Sequence, residues 1–308
     1  MLSKVAERIY WTARYIERVE NTARLLGVYA NLLLDLPKGV HLGWFNLIEL
    51  NSAQTHFGEF YKTADERSVV KFILGDENNP SSMVSSLRML RENVRTSRDV
   101  VPGETWELVN ALTMFVQDNL SQALNREQRH GFLKGVIRGC QQVNGLMYGT
   151  MSHDKAWDFL RLGRNLERAD MTTRILDIGV ATWMQTQKDD GAIYAKQIIW
   201  GNVLRSVGAE QSYRRSLRAA VEADDVARYL LEDEQFPRTI KHCLQSMDDS
   251  ACKLPLAEPV ILRLAQLQSS LFVEVDYQTL DESFREYLNA MQLELAQLHS
   301  SIADTWFN

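Results

Sequence analysis

The sequence predicts an all-α fold, a multi-helix bundle built from two related halves. Glycine (16) and proline (6) together make 22 of 308 residues, about 7% against roughly 12% in ordinary globular chains, so hairpins and glycine-rich loops must be scarce. Runs that alternate apolar and polar residues, the mark of half-buried strands, are absent. All six prolines (Pro37, Pro80, Pro102, Pro237, Pro255, Pro259) fall at the edges of helix-period segments, where a missing N–H costs little.

The elements follow in order. Residues 2–34 carry Val5, Ile9, Ile16, Val19, Ala23 and Leu26 on one stripe, and Pro37 with Gly39 ends that helix. Further helical patterns lie at 42–54, 65–75, 81–99, 104–124, 126–150, 153–187, 190–206, 209–217, 222–233, 237–247, 258–274 and 280–305. Capping boxes are expected at Thr63-x-x-Glu66 and Thr279-x-x-Glu282. A hydrophobic content of 45% supplies a large core at this length.

Several function classes are disfavoured. The longest stretch free of Asp, Glu, Lys and Arg, from Gly139 to His153, is polar in part, so no membrane span is expected. Glu7 and Arg8 interrupt any signal-peptide core, which points to the cytoplasm. A net charge of -6 argues against nucleic acid as a partner. Cys140, Cys243 and Cys252 lack paired spacing and read as reduced thiols; His242 with Cys243 and Cys252, and the lone Glu127-x-x-His130, are too sparse for a metal centre, so no metal is expected. Motifs for phosphate cradling, dinucleotides, serine nucleophiles and zinc proteases are also missing.

The chain echoes itself at an offset of 150. RYIERVENTAR (14–24) and RNLERADMTTR (164–174) share Arg14/Arg164, Glu17/Glu167, Arg18/Arg168, Thr22/Thr172 and Arg24/Arg174, with Glu20 matched by Asp170. Because the identities are mostly charged, they suggest two structurally related halves, 1–150 and 151–308, in one continuous unit. His153 and Asp154 open the second long helix, as an acid/base pair or, the reading preferred, in a helix-capping role.

Of the 34 cations 24 are Arg, a planar fork of donors that grips carboxylate or phosphate in two places. Arg14, Glu17, Asn21 and Arg24 share one helix face; the same 3-4-3 spacing gives Arg164, Glu167, Met171 and Arg174, and an all-arginine set, Arg88, Arg91, Arg95 and Arg98. Like charges so spaced repel, so something anionic should face them. Two partners are available. Glu17, Glu20, Glu167 and Asp170 can bridge internally to arginines of a neighbouring helix, or the arginines can converge on an external phosphate or carboxylate. On the second reading Arg91→Ala and Arg95→Ala abolish activity at little cost in melting temperature. Tyr10, Trp11, Tyr15, Trp157 and Phe159 flank the stripes as packing.

MLSKVAERIYWTARYIERVENTARLL at the start, LRENVRTSRDVVPGETWELVNAL, HDKAWDFLRLGRNLERADMTTRILD and RYLLEDEQFPRTIKHCL together resemble the bacterial Alpha-E domain proteins. That resemblance implies an all-helical component encoded beside, or fused to, a circularly permuted ATP-grasp protein, often near a transglutaminase-like peptidase. The implied role lies in an ATP-dependent amide- or peptide-bond-forming system, with ATP and Mg²⁺ on the partner and no cofactor in this chain. Arg14, Glu17, Arg18, Glu20, Asn21 and Arg24 match one family block, and Arg164, Glu167, Arg168, Asp170 and Arg174 the other. These residues, with the third arginine set, are candidates for binding an anionic amino acid or peptide, an acyl-phosphate, or the ligase itself. The alternatives are a non-catalytic scaffold or regulator of the ligase, and an independent enzyme using Glu17 or Glu167 as general base.

Overall fold

Two long helices, brought together from opposite halves of the chain, form the axis of the molecule. The computed structural model describes residues 1–35, 42–186, 192–271 and 275–308. Among them it contains fourteen α-helices and no strand. The axis helices are α1 (Ser3–Asp35) and α8 (Lys155–Thr186). Between them come α2 (Asn46–Leu50), α3 (Gln54–Phe60), α4 (Glu66–Gly75), α5 (Met83–Arg95), α6 (Glu104–Leu124) and α7 (Arg126–Thr150). After α8 follow α9 (Ala192–Ser206), α10 (Glu210–Leu217), α11 (Ala223–Glu232), α12 (Ile240–Ala251), α13 (Glu258–Leu271) and α14 (Glu282–Trp306).

α1 and α8 run side by side in the same direction. Leu25, Val28 and Leu32 share a crevice with Ile175, Ile178 and Thr182, each pair 150 residues apart. Near their N-terminal ends the backbones nearly touch, because Gly163 has no Cβ; one built there would lie 2.2 Å from the Tyr10 carbonyl oxygen. α5, α7 and α9 pack around α1, while α9, α12 and α14 pack around α8. One continuous apolar core results, running from Ala6 to Phe307 and sharing side chains of both halves. Trp200, Tyr10, Tyr29 and Tyr213 are its largest fully buried members.

The helix starts are set by short acceptors, though not where capping boxes were expected. Asp65 rather than Thr63 caps α4, accepting from Ser68 N, and Asp281 rather than Thr279 caps α14, accepting from Ser283 N and Phe284 N. A carboxylate two residues nearer the first turn displaces the threonine in both cases, and Thr63 donates to Asp65 instead. Asp154 caps α8 as expected, accepting from Ala156 N and Trp157 N, while His153 stacks on Trp157 at 4.3 Å. The helix expected over 42–54 is realised only as α2, ending before Ser52 takes a left-handed φ of 52°, and α3 at 54–60 was not expected. α5 stops at Arg95, where Thr96 leaves helical geometry (φ −91°, ψ 1°), so Arg98 lies beyond it. Pro37 and Gly39 lie outside the described residues.

Candidate functional site

The reciprocal placement of α1 and α8 lets them exchange charges. Arg14 Nε donates to Glu167 at 2.7 Å, and Arg18 grips the same carboxylate through Nε at 2.7 Å and Nη2 at 3.2 Å. In the opposite sense Arg168 Nη2 donates to Glu17 at 2.6 Å, with Arg164 3.9 Å from the same oxygen. Each helix also carries an i,i+4 pair, Arg24 with Glu20 at 2.7 Å and Arg174 with Asp170 at 2.9 Å. The carboxylates are nearly inaccessible, Glu17 at 0% and Glu167 at 4% side-chain exposure.

Burying such charges is costly unless each is paired and hydrogen-bonded, and here the exchange does the pairing. Burial alone would push both glutamates up. Arg168 and Arg238 outweigh it at Glu17, and Arg18 and Arg14 at Glu167, so each carboxyl is held down to about 2. Carboxylates so engaged are weak proton acceptors, and this geometry gives no support to a general-base role for Glu17 or Glu167. Their chemistry here is to hold guanidinium groups in fixed orientation.

The two half-sites differ in what fills them. Around Glu17 the space is taken by Arg238, from the turn before α12. Its guanidinium donates to Asn21 Oδ1 at 2.5 Å and to Glu20 at 3.2 Å, and lies 3.2 Å from Glu17. That turn is tightly wound: Asp233 accepts from the backbone of Gln235 and Phe236, and the Thr239 hydroxyl bonds to the Asp233 and Phe236 carbonyls. Around Glu167 there is instead a cavity of about 250 Å³, walled by α1, α8 and α14. Arg14, Arg18, Arg174 and Asp170 line it, with Thr22, Gln292 and His299. Met171, in the place held by Asn21 on α1, offers this cavity no amide.

His299 closes one wall, its Nδ1 2.9 Å from the Tyr10 hydroxyl, which also accepts from Arg14. Burial, with the Arg14 charge, pushes the ring down to about 4, so it is neutral at physiological pH. Both effects make acid destabilising. The folded-state values lie below the unfolded ones, about 6.5 for His and 4.3 for Glu. The histidine's contribution is therefore complete above pH 6.5 and lost as pH falls towards 4; that of the glutamates is lost between about 4.3 and 2. Melting temperature should fall in two stages on acidification, and His299→Gln should remove only the first. An unchanged first stage in that variant would refute the assignment.

The fold also places three other features of the sequence. The all-arginine set does not join the cluster: Arg88, Arg91, Arg95 and Arg98 are all exposed on the α5 side of the molecule. Their anionic neighbours are local, Glu77 for Arg88 and Glu92 for Arg95, while Arg91 donates to Asn110 and Arg91 and Arg98 lie over Trp106. The 3-4-3 spacing fails at its last member because the helix has already ended. Glu127 and His130 are both exposed, and Cys140 and Cys243 are buried thiols whose protons burial holds more tightly. Sequence reasoning missed Arg238, His299 and Gln292 as members of the cluster; only Arg238 carried a signal, standing between a proline and a helix-capping threonine.

Buried Glu-Arg dipeptides that pair across two parallel helices define an all-helical protein organised around an ionic core. The chain has four Glu-Arg dipeptides, at 7–8, 17–18, 66–67 and 167–168, and only those at 17–18 and 167–168 make the exchange. It belongs to the Alpha-E family, described as a predicted alpha-helical domain with a conserved ER motif, whose model matches residues 1–307. Among curated proteins it is similar to an uncharacterized protein of Mycobacterium bovis and two of Mycobacterium tuberculosis, each 23% identical over 270 residues. The match covers 82% of this chain and 30% of each relative, so the chain spans about a third of their length. No solved structure matches. No described helix is long and apolar enough to cross a membrane.

Proposed function

We propose that this protein is the helical component of an ATP-dependent amide- or peptide-bond-forming system, working with a circularly permuted ATP-grasp protein. The nucleotide and Mg²⁺ belong to that partner, and the cavity between α1, α8 and α14 takes the anionic end of the substrate or its acyl-phosphate. The observation that carries this reading is the cavity itself. Three arginines face it against two carboxylates, and Glu167 and Asp170 hold those arginines in orientation before any ligand arrives. The mycobacterial relatives, in which the matching segment is a minor part of a longer chain, are in keeping with work beside other domains.

A second reading, scaffold or regulator, is favoured by the α5/α6 face. There Arg91 and Arg98 flank Trp106, and Met89 and Met114 are exposed, an aromatic and arginine composition common at protein contacts.

Both are tested by mixing this chain with a circularly permuted ATP-grasp protein from the same organism. Co-purification at micromolar concentration is expected, and ADP formation by the pair should fall at least about tenfold with Arg174→Gln while the complex persists. Loss of the complex with Arg91→Ala, and indifference to Arg174→Gln, would favour the scaffold. Failure to form a complex would refute both.

A further inference from the structure

The half-site around Glu17 shows what the cavity around Glu167 is shaped to hold. There the filling is a stretch of this chain's own backbone. Arg168 Nη1 donates to the Pro237 carbonyl at 3.4 Å, and the Thr172 hydroxyl donates to the Arg238 carbonyl at 2.8 Å. Two consecutive peptide carbonyls are thus taken by an arginine and a threonine one helical turn apart on α8.

The residues at the matching positions of α1 are Arg18 and Thr22, and both line the cavity. Arg18 uses Nε and Nη2 on Glu167, as Arg168 uses Nη2 on Glu17. Arg18 Nη1 and the Thr22 hydroxyl have no hydrogen-bond partner among the described residues. The donors that read a peptide in one half-site are therefore present and unengaged in the other, with a cavity of about 250 Å³ in front of them.

We infer that this cavity binds an extended peptide segment, two successive backbone carbonyls of which accept from Arg18 Nη1 and Thr22 Oγ1. The side-chain preference differs from that of the filled half-site. Arg238 finds three acceptors in Glu17, Glu20 and Asn21. In the cavity Met171 replaces the amide beside Glu167, both oxygens of Glu167 are engaged by Arg14 and Arg18, and Asp170 is paired with Arg174, so the remaining side-chain acceptors are neutral, chiefly the amides of Asn51 and Gln292. A cationic side chain has little to bind there. Three facing arginines suit an acidic one.

Peptide capture rests on this cavity being the substrate site proposed above, but its test needs this chain alone. The probe is acetyl-Phe-Pro-Glu-Thr-amide, which copies residues 236–239 with Glu for Arg, titrated calorimetrically against the full chain. One-to-one binding is expected, weakened about tenfold by Thr22→Val, the effect of one lost hydrogen bond to a carbonyl. Ala296→Trp, which fills the α14 wall, should abolish it, and the Arg-containing parent peptide should bind more weakly than the Glu form. Wild-type and variant melting temperatures establish that each is folded. No binding at millimolar peptide, binding indifferent to both substitutions, or binding of inorganic phosphate with none of the peptide would each overturn the assignment. Peptide binding without an ATP-grasp complex would leave this site standing and remove the ligase reading; a complex without peptide binding would do the reverse.

Discussion

Glu17→Ala will destabilise the protein by about 3–5 kcal/mol, because it leaves buried guanidinium groups with no counter-charge. Arg168 and Arg238 both rest on Glu17, at 2.6 and 3.2 Å, and Arg164 stands 3.9 Å away. Arg164 is already the least comfortable cation of the group: burial and the adjacent Arg168 charge lower its pKa. Removing Glu17 strands Arg164 and Arg168, whose side chains are 10% and 16% exposed, and leaves Arg238 with Glu20 alone. The expected fall in melting temperature is roughly 5–15 °C by calorimetry. Arg95→Ala is the contrast, since Arg95 and its partner Glu92 are both more than half exposed; such pairs contribute little, and its melting curve should overlay the wild type. Equal melting for Glu17→Ala and wild type would show that the exchange does not hold the helices together.

Gly163→Ala should be as damaging, for a steric reason. The new Cβ would meet the Tyr10 carbonyl oxygen at 2.2 Å and the Tyr10 carbonyl carbon at 3.0 Å. Overpacking in a core ordinarily costs about 1–3 kcal/mol because side chains shift to accommodate it, but here the obstacle is backbone. α1 and α8 would have to separate near the point where Arg14 reaches Glu167, so steric strain and lost pairing add. A loss of about 3 kcal/mol or more is expected by denaturant titration. Gly145→Ala is the control: nothing lies within 4 Å of its added methyl, and better helix propensity should stabilise α7 by up to about 1 kcal/mol. If the two substitutions behave alike, close approach at Gly163 is not what sets the helix spacing.

The helical architecture was legible in the sequence because the apolar period is clear: α6 and α7 begin and end where that pattern places them, at 104–124 and 126–150. The failures were local competitions. Asp65 and Asp281 took the caps assigned to threonines, and α5 ended at Arg95, before Arg98. For the site, the stripes of α1 and α8 were readable because their charged residues recur at a constant offset. Spacing fixes which residues share a face, not which face lies opposite, so it could not decide whether Glu167 would meet Arg18 or solvent. Arg238 was invisible on that criterion, since it lies in a turn and reaches the cluster through the fold of 233–239. His299 sits on α14, far from either stripe in sequence, and carried no local signal.

The pairing of Arg14 and Arg18 with Glu167 joins residues 153 and 149 apart. During synthesis at about 5–20 residues per second, α1 therefore waits roughly 10–30 s for its counter-charges to be made. Through that interval its stripe of arginines and glutamates has only water and its own i,i+4 neighbours, and its apolar stripe lacks the α8 surface that will cover it. The nascent N-terminal half thus carries an unpaired charged stripe until α8 has been made.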